Sequence, residues 1–174
     1  MPAPMMVGAE AFPDTMRTCS SFQAEHVEAS LGTPIVDGWF TTGDAPALIG
    51  SRCTSCASTY FPPLAEEGSF CRNPRCSGDA FELVELSRRG VVWSYTDAQY
   101  QPPAPYVAAD PYVPFALAAV TLPEGLVVLG QVAQGFGVAD LRVGSEVELV
   151  VETMNGVDAD KLIWRWRPMQ EVSR

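Results

Sequence analysis

Four cysteines carry the clearest chemistry in this chain. Cys53 and Cys56 form a C-x2-C pair within RCTSCASTYFPP, and fourteen residues later Cys71 and Cys76 form a C-x4-C pair within CRNPRC. Two close thiol pairs on tight turns suit a tetrahedral zinc ion, because they deliver soft ligands with little chain. The spacer between them lets the two turns face each other. With all four positions taken by thiolates, the site is closed. The expected metal is therefore structural rather than catalytic, since a catalytic zinc keeps a position open for water or substrate. Four ordinary buried thiols are the alternative, and the double-pair spacing favours the metal. Tyr60, Phe61, Pro62 and Pro63 lie between the pairs and are expected to pack beneath the ion. A segment this short lacks a core of its own, so metal binding would supply much of its folding energy.

The elements that must hold this cluster follow from pattern and composition. The chain has 174 residues, of which 47% are hydrophobic, enough to fill an ordinary core. The opening MPAPMMVGAEAFPD has neither a basic n-region nor an apolar h-region, so no secretory signal is expected. No apolar run approaches the roughly 20 residues of a membrane span. A cytoplasmic protein is expected, where thiols stay reduced and paired cysteines favour metal over disulfide. The formal charge is −10. Nucleic-acid binders draw affinity from a basic surface, so that class is disfavoured.

Residues 1–18 read as a loose tail, and 19–50 as a helical lead-in. Within it, SSFQAEHVEASL predicts a helix from Ser20 to Leu31, and a second short helix is expected over Val36–Thr42 with Trp39 and Phe40 as anchors. Cys19 is left over as a bystander thiol. His26, the only histidine, is read as facing solvent or a partner. ALIGSR, Ala47–Arg52, predicts a strand leading into the cysteines. Residues 51–80 form the expected zinc ribbon.

From residue 81 to 170 the pattern is β. Strands are expected at Phe81–Ser87, Gly90–Ala98, Pro114–Leu122, Leu126–Gln134, Ser145–Met154 and Leu162–Arg167. Short strands with Gly, Pro, Asn and Asp turns predict a small antiparallel barrel or sandwich. Trp93, Trp164 and Trp166 are expected to fill its core. The connection QYQPPAPYVAADPYV, Gln99–Val113, is long and rich in proline and tyrosine, and its aromatic content argues against plain disorder.

RCTSCASTYFPP, CRNPRC, GVVWSYT, PFALAAVTLPEGLVVLGQV, LRVGSEVELVVE and LIWRWRP, in that order, resemble the family carried as a domain of unknown function, DUF35. The likeness covers roughly residues 36–168. It implies a mainly β protein: a rubredoxin-like zinc ribbon followed by a five-stranded OB-fold barrel. Two departures stand out. The family commonly has Gly after the first pair where this chain has Ala57, so that turn is expected to differ. The second pair is commonly C-x2-C, and the insertion of Asn73-Pro74 here calls for a wider turn.

The resemblance implies a non-catalytic subunit bound to a thiolase-like enzyme or a lipid-transfer-type aldolase of steroid side-chain breakdown, and in some members to a MaoC-type hydratase. Acyl-CoA is the implied ligand and a hetero-oligomer the implied state. Arg72, Arg75, Arg88 and Arg89 are then the candidates for the CoA phosphates, because a guanidinium matches phosphate geometry. Tyr106, in the proline-rich loop, is the candidate for the acyl chain or the partner surface. No Ser/His/Asp set or Cys/His pair stands out, and the carboxylates are scattered, so no catalytic residue is assigned. A single-stranded nucleic-acid-binding OB module is the rival, and it would need a basic groove. A stand-alone zinc enzyme would need an open ligand position.

Overall fold

The computed structural model describes residues 32–64, 68–103, 110–154 and 160–169. The tail and the Ser20–Leu31 helix, with Cys19 and His26, lie outside these residues, as does Tyr106. Nine strands follow one another: β1 (Thr33–Pro34), β2 (Ile49–Cys53), β3 (Thr59–Tyr60), β4 (Phe81–Glu85), β5 (Arg89–Ala98), β6 (Phe115–Thr121), β7 (Val127–Val132), β8 (Glu146–Thr153) and β9 (Lys161–Pro168). The only helical piece among the described residues is a 3-10 turn at Val138–Asp140.

Five of these strands close on themselves. β5 pairs with β6 and β6 with β7, both antiparallel. β7 pairs parallel with β9, β9 antiparallel with β8, and β8 antiparallel with β5. That ring, in which the third and fifth strands run parallel, is the OB-type barrel. The ring is closed by short pairings, at Gln131 and Val132 between β7 and β9 and at Arg89, Gly90 and Val91 between β5 and β8, and β1 adds outside it by pairing parallel with β9. Strict alternation aims one side of each strand inward. On β6 this buries Ala116, Ala118 and Val120, and on β8 Val147 and Leu149. Each fully buried Val or Leu contributes about 1.5–3 kcal/mol.

The barrel core is shaped around two indoles. Trp166 is fully buried, and Trp164 packs against the same cluster. Small residues make the room: Ala118 on β6 lies opposite Gly130 on β7. A Cβ at Gly130 would sit 2.8 Å from Trp166 Nε1 and 3.1 Å from Trp164 Nε1. Trp93, by contrast, is 64% exposed, so it does not fill the core as expected. Val92 takes the inward position, and a register shift between Val92 and Ser94 makes Trp93 an extra residue on the outward side. A bulge re-aims a side chain in this way, and period-two pattern alone does not reveal it.

The three-stranded sheet, ordered β3-β2-β4, carries the ribbon. The strand expected at Phe81–Ser87 forms at β4, and it pairs with β2 along Ile49–Cys53 instead of joining the barrel. The helix expected over Val36–Thr42 does not form. Gly38 turns the chain at φ +73°, and Phe40 bridges Leu48 antiparallel. Trp39 and Phe40 do anchor this segment, but through turns and β-type bonds: Trp39 O accepts from Ile49 N at 2.8 Å. Phe40, Leu48 and Leu86 from this region join the barrel residues in one continuous core.

Adding a methyl group at Gly130 must displace a buried indole. Gly130→Ala is expected to lower unfolding free energy by about 1–3 kcal/mol, the usual cost of overpacking, measured by urea titration at constant zinc.

Candidate metal centre

The first cysteine pair sits where β2 runs into a tight turn. Ala57 N donates to Cys53 O at 2.9 Å, and Cys53 N donates to Ser58 O at 2.9 Å. Ala57 closes the turn in the left-handed region, at φ +60°, and it is the only non-glycine residue with positive φ among those described. The turn expected to differ from the glycine-containing family pattern therefore keeps a glycine conformation, with alanine bearing the strain of about 1–2 kcal/mol. The second pair sits on a wider turn, as its spacing requires. Cys76 N donates to Asn73 O at 2.9 Å, and Cys71 N donates to Gly78 O at 2.9 Å. Gly78 is where the two turns meet: a Cβ there would lie 2.7 Å from Ser55 Oγ and 3.1 Å from Cys53 Sγ.

These turns bring all four sulfurs within 4.8 Å of one another. Cys53 Sγ and Cys76 Sγ are 3.9 Å apart, and Cys56 Sγ and Cys71 Sγ 3.5 Å. A tetrahedron with Zn–S bonds of ~2.3 Å has sulfurs ~3.8 Å apart. None of the four thiols is in a disulfide. The donor set and spacing fit a structural zinc, held by Cys53, Cys56, Cys71 and Cys76.

The surrounding hydrogen bonds suit thiolates. Gly78 N donates to Cys76 Sγ at 3.3 Å, and Asn73 Nδ2 donates to Cys56 Sγ at 3.7 Å. Tyr60 Oη accepts from Arg72 N at 3.1 Å and is hydrogen-bonded to Cys71 Sγ, 3.1 Å away, so that its hydroxyl can donate to a thiolate there. That bond to Cys71 raises the Tyr60 phenol above its usual range. Ser58, first through its hydroxyl and then its backbone, holds the Cys56 thiol down at about 6. At Cys76 the Gly78 N–H pulls downward, but burial and the neighbouring sulfurs of Cys56, Cys71 and Cys53 outweigh it and push that thiol up to about 12. Four sulfurs this close resist carrying four negative charges unless a cation sits among them, and a metal is such a cation.

Tyr60 thus packs against the cluster as expected, while Phe61 turns the other way. Its ring lies 5.7 Å from Trp39 and 6.0 Å from Trp164, edge-on to both. Trp164 also meets Trp39 at 6.0 Å and Phe40 at 5.6 Å. Adjacent residues therefore tie the ribbon to the cysteine cluster on one side and to the barrel on the other. Sequence reasoning placed Phe61 beneath the metal; the alternation of the TYF run was the available signal.

The arginines divide between two places. Arg72 and Arg75 lie on the second cysteine turn, where the Arg72 guanidinium is 6.0 Å from the Tyr60 ring centre. Arg75 N donates to Asn73 Oδ1 at 3.1 Å. Arg88 and Arg89 are exposed at the entry to β5. Arg89 lines a cavity of about 320 Å³ with Val91, Thr121 and Glu146. In the loop after β5, Tyr112 Oη donates to Ala98 O at 2.7 Å and pins the loop's far end to the barrel.

Two outcomes follow from this geometry. The purified, reduced protein is expected to hold about one zinc per chain, and Cys71→Ser to lose most of it by elemental analysis. Ala57→Gly relieves the left-handed strain but adds freedom to the unfolded chain, so a net stabilisation of up to about 1 kcal/mol is expected, read as a raised thermal midpoint with zinc bound.

Known proteins are similar to this chain. A family model described as "ChsH2, C-terminal OB-fold domain" matches residues 83–152. The benzoylsuccinyl-CoA thiolase subunit BbsA of Thauera aromatica is 36% identical over 113 residues, covering 64% of this chain and 68% of that protein. A DUF35 domain-containing scaffold protein of Pyrococcus furiosus is 31% identical over 125 residues, covering 70% of this chain and 83% of that one. Among solved structures, the Ltp2-ChsH2(DUF35) aldolase matches with a TM-score of 0.52 and 24% identity, over 70% of this chain and 84% of that chain, a likeness of fold. A four-cysteine ribbon joined to an OB-type barrel, with relatives at these identities, makes the chain a member of the DUF35 family.

Proposed function

We propose that this chain is a zinc-stabilised accessory subunit of an acyl-CoA-processing enzyme of the thiolase superfamily, with the reacting groups on a larger partner. The observation that carries this reading is the 36% identity to a benzoylsuccinyl-CoA thiolase subunit. The partner is a thiolase or a lipid-transfer-type retro-aldolase, and the assembly works in the cytoplasm, where a four-thiolate site stays reduced. A MaoC-type hydratase would be a further member of the complex.

The chemistry of the site supports a supporting role. A zinc held by four thiolates has no position left for water or substrate. The chain's only histidine is His26, so a histidine-activated nucleophile would have to be built on that one residue. Within this reading Arg72, Arg75, Arg88 and Arg89 act on CoA phosphates or an acidic partner patch, and Tyr106 on the acyl chain or the partner. The single-stranded nucleic-acid alternative needs a basic groove beside its aromatic platform. Exposed Trp93 could offer the platform, but Glu146 stands opposite Val91 on the same strand pair, and a carboxylate there repels phosphate.

The test is reconstitution. The isolated chain is expected to show no thiolase, aldolase or hydratase turnover on acyl-CoA thioesters, and turnover is expected when the thiolase-superfamily large subunit of the same organism is added. Robust turnover by the chain alone would refute the proposal. An Arg75→Ala, Arg89→Ala double variant should weaken acyl-CoA binding to the complex mainly at low salt, since exposed charges are screened over ~10 Å at 0.1 M. Calorimetry at two salt concentrations measures this.

A further inference from the structure

The outer face of the β5-β6-β7 meander is apolar at its centre. Strand register sets its rows. Val91, Thr121 and Val127 form one row across the three strands. Trp93, raised by the bulge, stands beside the next row, where Ser94, Ala119 and Leu129 align. Leu117 and Gln131 follow. None of these side chains is charged. The large ones are open to solvent: Trp93 64%, Leu129 60%, Val127 52% and Val91 42% exposed. Single exposed apolar residues are ordinary, but a contiguous set on one sheet face marks an interaction surface.

Charge at the border says what kind of surface fits it. Glu146 continues the first row directly beyond Val91. Glu124, in the turn joining β6 to β7, reaches back to accept from Ser87 N at 2.7 Å, at the same end of the face. Glu148 lies one row further and is bound to Arg167. Arg89, opposite Glu148, is in none of the salt bridges among the described residues, so on these rows Glu124, Glu146 and Glu148 stand against Arg89 and Arg167. The chain as a whole carries −10. A second copy would bring two such chains together against their repulsion, and net charge of this size keeps chains apart. The complementary occupant is an apolar patch on a different protein, edged by lysine or arginine.

We propose that this face, centred on Trp93 and Leu129, is where the large thiolase-superfamily subunit docks, through an apolar patch with a basic border. The proposal rests on the accessory-subunit reading. The bulge at Trp93 serves it: a bulge turns a large aromatic outward, and a central Trp flanked by Leu and Val is the composition of an interface hot spot.

The experiment measures binding of the full chain to the purified thiolase-superfamily large subunit of the same organism by calorimetry. Trp93→Ser and Leu129→Glu are compared with Leu83→Glu, which places the same charge on an exposed ribbon position. The two face variants are expected to bind at least ~30-fold more weakly, the size of a hot-spot loss, with zinc content and thermal midpoint unchanged. Leu83→Glu should bind as the wild type does, and wild-type affinity should fall as salt rises. Wild-type-like binding by both face variants overturns the docking face and leaves the subunit reading standing. A wild-type chain that binds no such subunit overturns that reading, and the docking proposal with it. A wild-type homodimer that Leu129→Glu dissociates would assign the face to a second copy and overturn the proposed occupant.

Discussion

The packing of Phe61, Trp39 and Phe40 around Trp164 holds the two halves of this molecule in one piece. The ribbon sheet is too small to bury a core, and its strands contribute few side chains to the interior. Metal binding can order its turns, but the cluster is local and does not fix where the ribbon points. The rings do that. Each aromatic contact adds about 0.5–1.5 kcal/mol beyond its buried area, and edge-on geometry makes it directional. Leu48 and Leu86, at the ends of β2 and β4, enter the same core. The barrel therefore acts as foundation for the ribbon, and the ribbon's shape depends on both the cysteine turns and Trp164.

Much of this was legible in the sequence because it is written in local spacing. The cysteine pairs, the barrel strands and the inward alternation of VELVV and ALAAV need only period two and ligand chemistry to read. Failures occurred where a distant partner decides. FELVE alternates like a barrel strand, yet its partner is β2, some thirty residues back, as Arg52 bound to Glu82 shows. Trp39 and Phe40 read as anchors of a short helix over Val36–Thr42; a bridge to Leu48 buries Phe40 without one. Trp93 looked like core because it is large and lies in a strand, and only the register against Ala119 shows the extra residue. The arginines are close in sequence but divide between the second cysteine turn and the start of β5, because β4 intervenes.

The departures from the family pattern have different physical meanings. Ala57 accepts a strained backbone so that the first turn can keep its shape around the cysteine cluster. The longer second turn adds contacts. Asn73 Oδ1 accepts from Arg75 N, and Asn73 Nδ2 points at Cys56 Sγ and at Ser58 Oγ, 3.4 Å away. The widened turn thus supplies a donor to a sulfur on the opposite turn. Such outer hydrogen bonds orient ligands and temper their charge.

The parallel pairing of β7 with β9 has a consequence for how the chain is made. β9 is the last described strand, yet it touches β1, β7 and β8 and carries Trp164 and Trp166. During synthesis, at about 5–20 residues per second, the cysteine turns emerge well before it. All four cysteines are thus synthesised while the barrel remains an open sheet with unpaired edges on β7 and β8. Closure, burial of the indoles and docking of the ribbon all wait for one short C-terminal strand. A nascent chain therefore presents its four cysteines before the strand that closes the barrel, and through that interval the open edges of β7 and β8 lack the partner that later covers them.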